Sequence, residues 1–92
     1  MNYAETVRGF VVSNFLLGEA GGLQDDTSFL ESGIIDSTGV LELVAFLEGT
    51  FRLKVASEEL IPENLDSVNR VSQFITRKLA DDGHVAAGPV QR

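Results

Sequence analysis

The sequence predicts a small all-α bundle built from three substantial helices and one very short one, with a long loop between the first and second. Three observations lead there. Apolar residues recur at helical spacing in three separate segments. No segment alternates convincingly as a strand, because the best candidate, Phe51 to Val55, is too short and solitary to make a sheet. Ninety-two residues with 43% apolar content supply one modest core and leave no room for a second domain.

Taken in order, Tyr3 to Leu17 reads as an amphipathic helix, with Tyr3, Val7, Phe10, Val11 and Asn14 on one stripe and Thr6, Gly9 and Ser13 opposite. Gly18 suits its stop. The polar, glycine-containing stretch that follows reads as a loop, with Leu23, Phe29, Leu30, Ile34 and Ile35 as anchors pinning it across the domain. Asp36 is a favoured N-cap for a helix over 37–51, and Ile35 with Val40 forms the apolar pair of a hydrophobic staple. Pro62 suits the first turn of a very short helix, Pro62-Glu63-Asn64-Leu65. Ser67 then caps a last helix carrying Val68, Val71, Ile75 and Leu79 on one face and Arg70, Gln73 and Arg77 on the other. The expected folded domain is residues 1–80, followed by a flexible tail over 81–92.

Composition narrows the function. Without cysteine, disulfide scaffolds, thiolate metal sites and thiol nucleophiles are excluded. The single histidine, His84, falls in the tail, so a Ser-His-Asp relay has no ready base, and an enzyme is not expected. No apolar run reaches the roughly 18–20 residues of a membrane span, and no signal-peptide pattern opens the chain, so a cytoplasmic protein without membrane insertion is expected. The net charge of −7 is concentrated between Glu19 and Asp66, where eleven acids face only Arg52 and Lys54. Nucleic acid would be repelled there and basic proteins steered toward it. Asp25-Asp26 and Glu58-Glu59 do not fit a calcium loop, and no metal site is expected.

The helix after Asp36 has two distinct faces. Val40, Leu43, Val44, Leu47 and Phe51 make one broad buried stripe, while Thr38, Leu41 and Ala45 form a small semi-apolar patch flanked by Glu42 and Glu48 on the opposite side. Serine at a helix start is ordinarily a cap, but Asp36 competes for that position. If Asp36 caps, Ser37 occupies the first turn with a free hydroxyl at the positive pole of the helix dipole, where a phosphate ester is tolerated although Asp36 opposes it.

The run L-E-S-G-I-I-D-S-T-G-V-L-E-L-V-A-F-L-E, residues 30–48, together with the later P-E-N-L-D-S-V, closely resembles the attachment region of acyl carrier proteins. The resemblance spans about residues 3–80. It implies that a phosphopantetheinyl transferase attaches 4′-phosphopantetheine from coenzyme A at Ser37, with Asp36 as helix cap and motif residue, and that the arm's thiol holds the cargo as a thioester. It also implies that Thr38, Leu41, Glu42, Ala45 and Glu48 meet partner enzymes with basic docking surfaces, namely a loading enzyme and downstream acyltransferases or synthases. Thr38 departs from the family pattern, in which leucine more often follows the modified serine.

The expected protein is therefore a stand-alone, monomeric acyl carrier. Thr38 and the loop around Gly21-Gly22 lean toward a specialised polyketide, lipid or other secondary-metabolite pathway rather than general fatty-acid synthesis. The nearest alternative is an aminoacyl or peptidyl carrier loaded by an adenylating ligase. An alternative of another class is an unmodified acidic interaction module acting through the Leu41-Glu42-Ala45-Glu48 face.

Overall fold

The computed structural model describes residues 3–16, 18 and 22–87, with side chains described up to residue 80. Among them the elements are α1 (Tyr3–Phe15), α2 (Phe29–Ser32), α3 (Ser37–Phe51), a 3-10 turn (Ser57–Glu59), α4 (Pro62–Leu65) and α5 (Val68–Ala87). The fold is the all-α bundle expected, with α1, α3 and α5 as its main helices and no strand among the described residues.

The core forms where the three apolar stripes meet. Val7 and Val11 of α1, Leu43 and Leu47 of α3, and Val68, Val71, Phe74 and Ile75 of α5 are buried together. Such side chains each contribute about 1.5–3 kcal/mol on leaving water. Helix α1 lies along α5, and α4 packs on the N-terminal part of α5. An aromatic seam closes α1 against α3: Phe10 stacks on Phe46 with ring centroids 4.1 Å apart, and Tyr3 meets Phe51 edge-on at 5.4 Å.

Three elements differ from their sequence-based outlines. Helix α1 stops at Phe15, where Gly18, at φ 87, donates its N–H to Val12 O at 2.9 Å; Leu17 lies outside the described residues. The loop expected up to Asp36 contains a helical turn, α2, capped by Ser28 and ended by Gly33 at φ 78. Of the loop's supposed anchors, Leu23, Phe29 and Ile35 are buried and Ile34 is half-buried, but Leu30 is exposed. Helix α5 continues to Ala87 instead of ending near Leu79, because no proline and only one glycine, Gly83, interrupts it before Gly88-Pro89. The remainder of the expected tail, from residue 88, and the side chain of His84 lie outside the described residues.

Loops are held by specific polar contacts. Arg8 donates to Leu23 O at 2.7 Å and pairs with Asp25, whose own carbonyl accepts from Asn69 N at 2.8 Å, so α1, the loop and the start of α5 are joined. Glu59 accepts from Ala56 N at 2.9 Å and pairs with Lys78 at 3.1 Å, fastening the 3-10 turn to α5. The Ala56 N–H bond, opposed by partial burial and aided by Lys78, holds the Glu59 carboxyl below its ordinary value of 4.5. The folded chain thus binds this proton more weakly than the unfolded chain does. The Glu59 contribution to stability is complete above about pH 4.5 and is lost as pH falls below that value through the lowered one. Glu59→Gln is accordingly expected to flatten the stability loss in this acid range, as urea denaturation at pH 6, 4.5 and 3.5 would show.

Candidate functional site

The start of α3 is fixed by a local hydrogen bond. Asp36 is extended, with φ −93 and ψ −176, and its Oδ1 accepts from Gly39 N at 2.7 Å while its carbonyl accepts from Val40 N at 3.0 Å. Beside it Ile35 is buried, and Val40 packs against the core from a half-buried position. Since Asp36 does the capping, Ser37 is left in the first turn. Its side chain is exposed, and its Oγ has no hydrogen-bond partner among the described residues.

Close packing is the condition for this geometry. Gly39 is buried on the inner side of the first turn, and a Cβ there would lie 2.9 Å from both Ile35 Cγ2 and Phe15 Cε1, and 3.3 Å from Asp36 Oδ1. The sequence reading passed over Gly39. The available signal was its place on the same stripe as Leu43, where a glycine inside a helix marks a close approach.

Ser37 borders an open groove of about 230 Å³ whose lining is almost entirely apolar. One wall is Phe29 and Leu30 of α2, the second is Val40 and Leu41 of α3, and the third runs from Leu60 through Pro62 to Leu65. Leu30, Leu41, Leu60 and Ile61 are the large exposed apolar side chains among the described residues, and all four line this groove. They come from three separate elements, so no periodic pattern in the sequence grouped them.

The outer face of α3 presents Thr38, Leu41, Glu42 and Ala45 to solvent, and Leu41, at 59% exposure, is the most open large apolar side chain among the described residues. Glu48 stands apart. It is half-buried, and its Oε2 accepts from Val55 N at 2.9 Å, tying α3 to the segment that leaves it. Arg52, between the two, takes a left-handed conformation at φ 56 as the C-cap. Glu48→Ala is therefore expected to cost about 1–2 kcal/mol, the loss of a bond to a charged acceptor, while Glu48→Gln, which keeps an acceptor oxygen, costs less. Urea denaturation of both variants measures the difference.

Among the described residues, no group of acidic or histidine side chains is arranged to hold a metal ion. No helix there is long and apolar enough to cross a membrane.

No protein-family model matches the chain. A protein of Serratia sp. named acyl carrier protein PigG is 30% identical over 67 residues, covering 73% of this chain and 77% of that protein. D-alanyl carrier proteins of Streptococcus uberis and Streptococcus pyogenes are 35% and 33% identical over 50 residues. That match covers 54% of this chain and 63% of theirs, so the aligned region is less than two thirds of the streptococcal proteins.

Proposed function

This chain belongs to the acyl carrier protein family, and from that premise we propose that it carries acyl groups as thioesters on a 4′-phosphopantetheine arm esterified to Ser37. The observation that carries the assignment is the exposed Ser37 oxygen, without a hydrogen-bond partner among the described residues, next to an aspartate that already caps the helix. The residues present suit such an arm. The hydroxyl is open to an incoming transferase, the helix start tolerates a phosphate, and an apolar groove begins at the same residue. When bound, the arm supplies the thiol that the chain itself lacks.

A carrier is not itself an enzyme, and it interacts with the enzymes that modify and load it. We assign those meetings to the Thr38, Leu41, Glu42, Ala45 and Glu48 face. Its partners are then a phosphopantetheinyl transferase, a loading enzyme, and downstream acyltransferases or synthases, each with a basic surface. An acidic helix meeting a basic patch gives the fast, salt-sensitive encounters that hand-over between enzymes requires. Glu42 tests this most cleanly, because it is exposed and is not tied to the fold as Glu48 is. Glu42→Lys is expected to slow arm addition by a basic-surfaced transferase about tenfold at low salt while helical circular dichroism is unchanged. Unaltered kinetics would remove Glu42 from the docking surface.

The setting that fits Thr38 is a specialised cytoplasmic pathway, polyketide, lipid or other secondary metabolism, with the carrier acting as a monomer. A second reading has a specific support in the D-alanyl carrier relatives: an aminoacyl cargo loaded by an adenylating ligase. The groove favours the acyl reading, since a polar aminoacyl group gains little from an apolar wall. Mass spectrometry of the protein isolated from its own host separates them. An arm bearing an acyl increment supports the proposal, an aminoacyl increment supports the second reading, and a bare chain contradicts both.

A further inference from the structure

We propose that Asp66 is a latch that sets the width of the groove beside Ser37, and that releasing its side chain lets the α2 turn move away from Leu60 and Ile61. The inference concerns the unmodified chain and does not rest on the carrier reading.

Asp66 is a fixed post between two helices. Its own N–H donates to Pro62 O at 3.1 Å, closing α4, and the next residue, Ser67, is buried and caps α5 by accepting from Arg70 N at 3.1 Å. From that post three hydrogen bonds reach the opposite wall. Asp66 Oδ2 accepts from the Ser28 hydroxyl at 2.5 Å, Oδ1 accepts from Leu30 N at 2.9 Å, and the Asp66 carbonyl accepts from Phe29 N at 2.8 Å. Both walls line the same groove.

The α2 side is the one free to move. Four residues cannot sustain a helix unaided, so the turn depends on what fastens it. Upstream the chain is secured at Asp25, through Asn69 N and Arg8, and downstream at the fully buried Ile35. Between these points Gly33, at φ 78, provides a pivot, and the turn is seated by the buried Phe29 ring, by the bond from Ile35 N to Phe29 O at 3.2 Å beside that pivot, and by the Asp66 bonds. Ring burial is non-directional and fixes depth, whereas hydrogen bonds fix position across the groove. Leu30, already 43% exposed, is the wall residue that swings when the two side-chain bonds are lost, while Phe29 N stays on the Asp66 carbonyl.

Asp66→Ala in the unmodified chain is the direct test, with amide exchange followed by NMR and groove access by titration with N-phenyl-1-naphthylamine. The expected result is about tenfold faster exchange at Leu30, the consequence of losing a charge-assisted bond, together with tighter probe binding and unchanged exchange at Val11, Leu47 and Val71. Asp66→Asn keeps an acceptor for Leu30 N and is expected to restore most of the protection, while Ser28→Ala is expected to open the groove partway. Unaltered exchange at Leu30, a rise shared equally by all helices, or unchanged probe binding would overturn the latch.

Discussion

Gly39→Ala is expected to lower stability by about 1–3 kcal/mol, the cost of overpacking, even though alanine is the better helix former by about 1 kcal/mol. The added methyl group would sit 2.9 Å from Ile35 Cγ2 and from Phe15 Cε1. Ile35 is fully buried and has nowhere to retreat, so the first turn of α3 must shift instead. That shift loosens the bond from Gly39 N to Asp36 Oδ1 and moves Ser37 with it. Arm addition at Ser37 is therefore expected to slow as well. Gly49→Ala is the control: it lies in the same helix, exposed, with nothing within 4 Å of an added Cβ, and is expected to be neutral or stabilising. Urea denaturation of the two variants reads the contrast directly, and equal stabilities would show that the close approach at Gly39 has no consequence.

Helix α3 was legible in the sequence because its signals are local. The Asp36 cap, the Ile35–Val40 pair and the stripe through Leu43 and Leu47 all act within a few turns of chain, and the helix begins and ends where they place it. The α2 turn was not read, although Ser28 and Glu31 carry the S-x-x-E pattern of a capping box and Ser28 Oγ does accept from Glu31 N at 3.1 Å. Four residues hold too little periodicity to register, and the contacts that stabilise the turn come from Asp66, more than thirty-five residues away. The groove escaped for the same reason, its walls being assembled from three distant segments. Glu48 shows the opposite error. Its place on the outer face of α3 read as purely a docking position, yet its carboxylate also closes a bond to Val55 N that only the path of the following chain could reveal.

Ser37→Ala is expected to have the largest effect on function, complete loss of the arm with little change in fold. The side chain is exposed, its oxygen bonds to no described residue, and Asp36 continues to cap the helix without it. Stability should change by no more than about 0.5 kcal/mol, as at other surface positions. The decisive measurement is the intact mass of the chain after incubation with coenzyme A, Mg²⁺ and a promiscuous phosphopantetheinyl transferase. The expected result is a single phosphopantetheine increment on the native chain and none on Ser37→Ala; an unchanged native mass, or an increment that survives the substitution, would contradict the assignment of Ser37 as the attachment point.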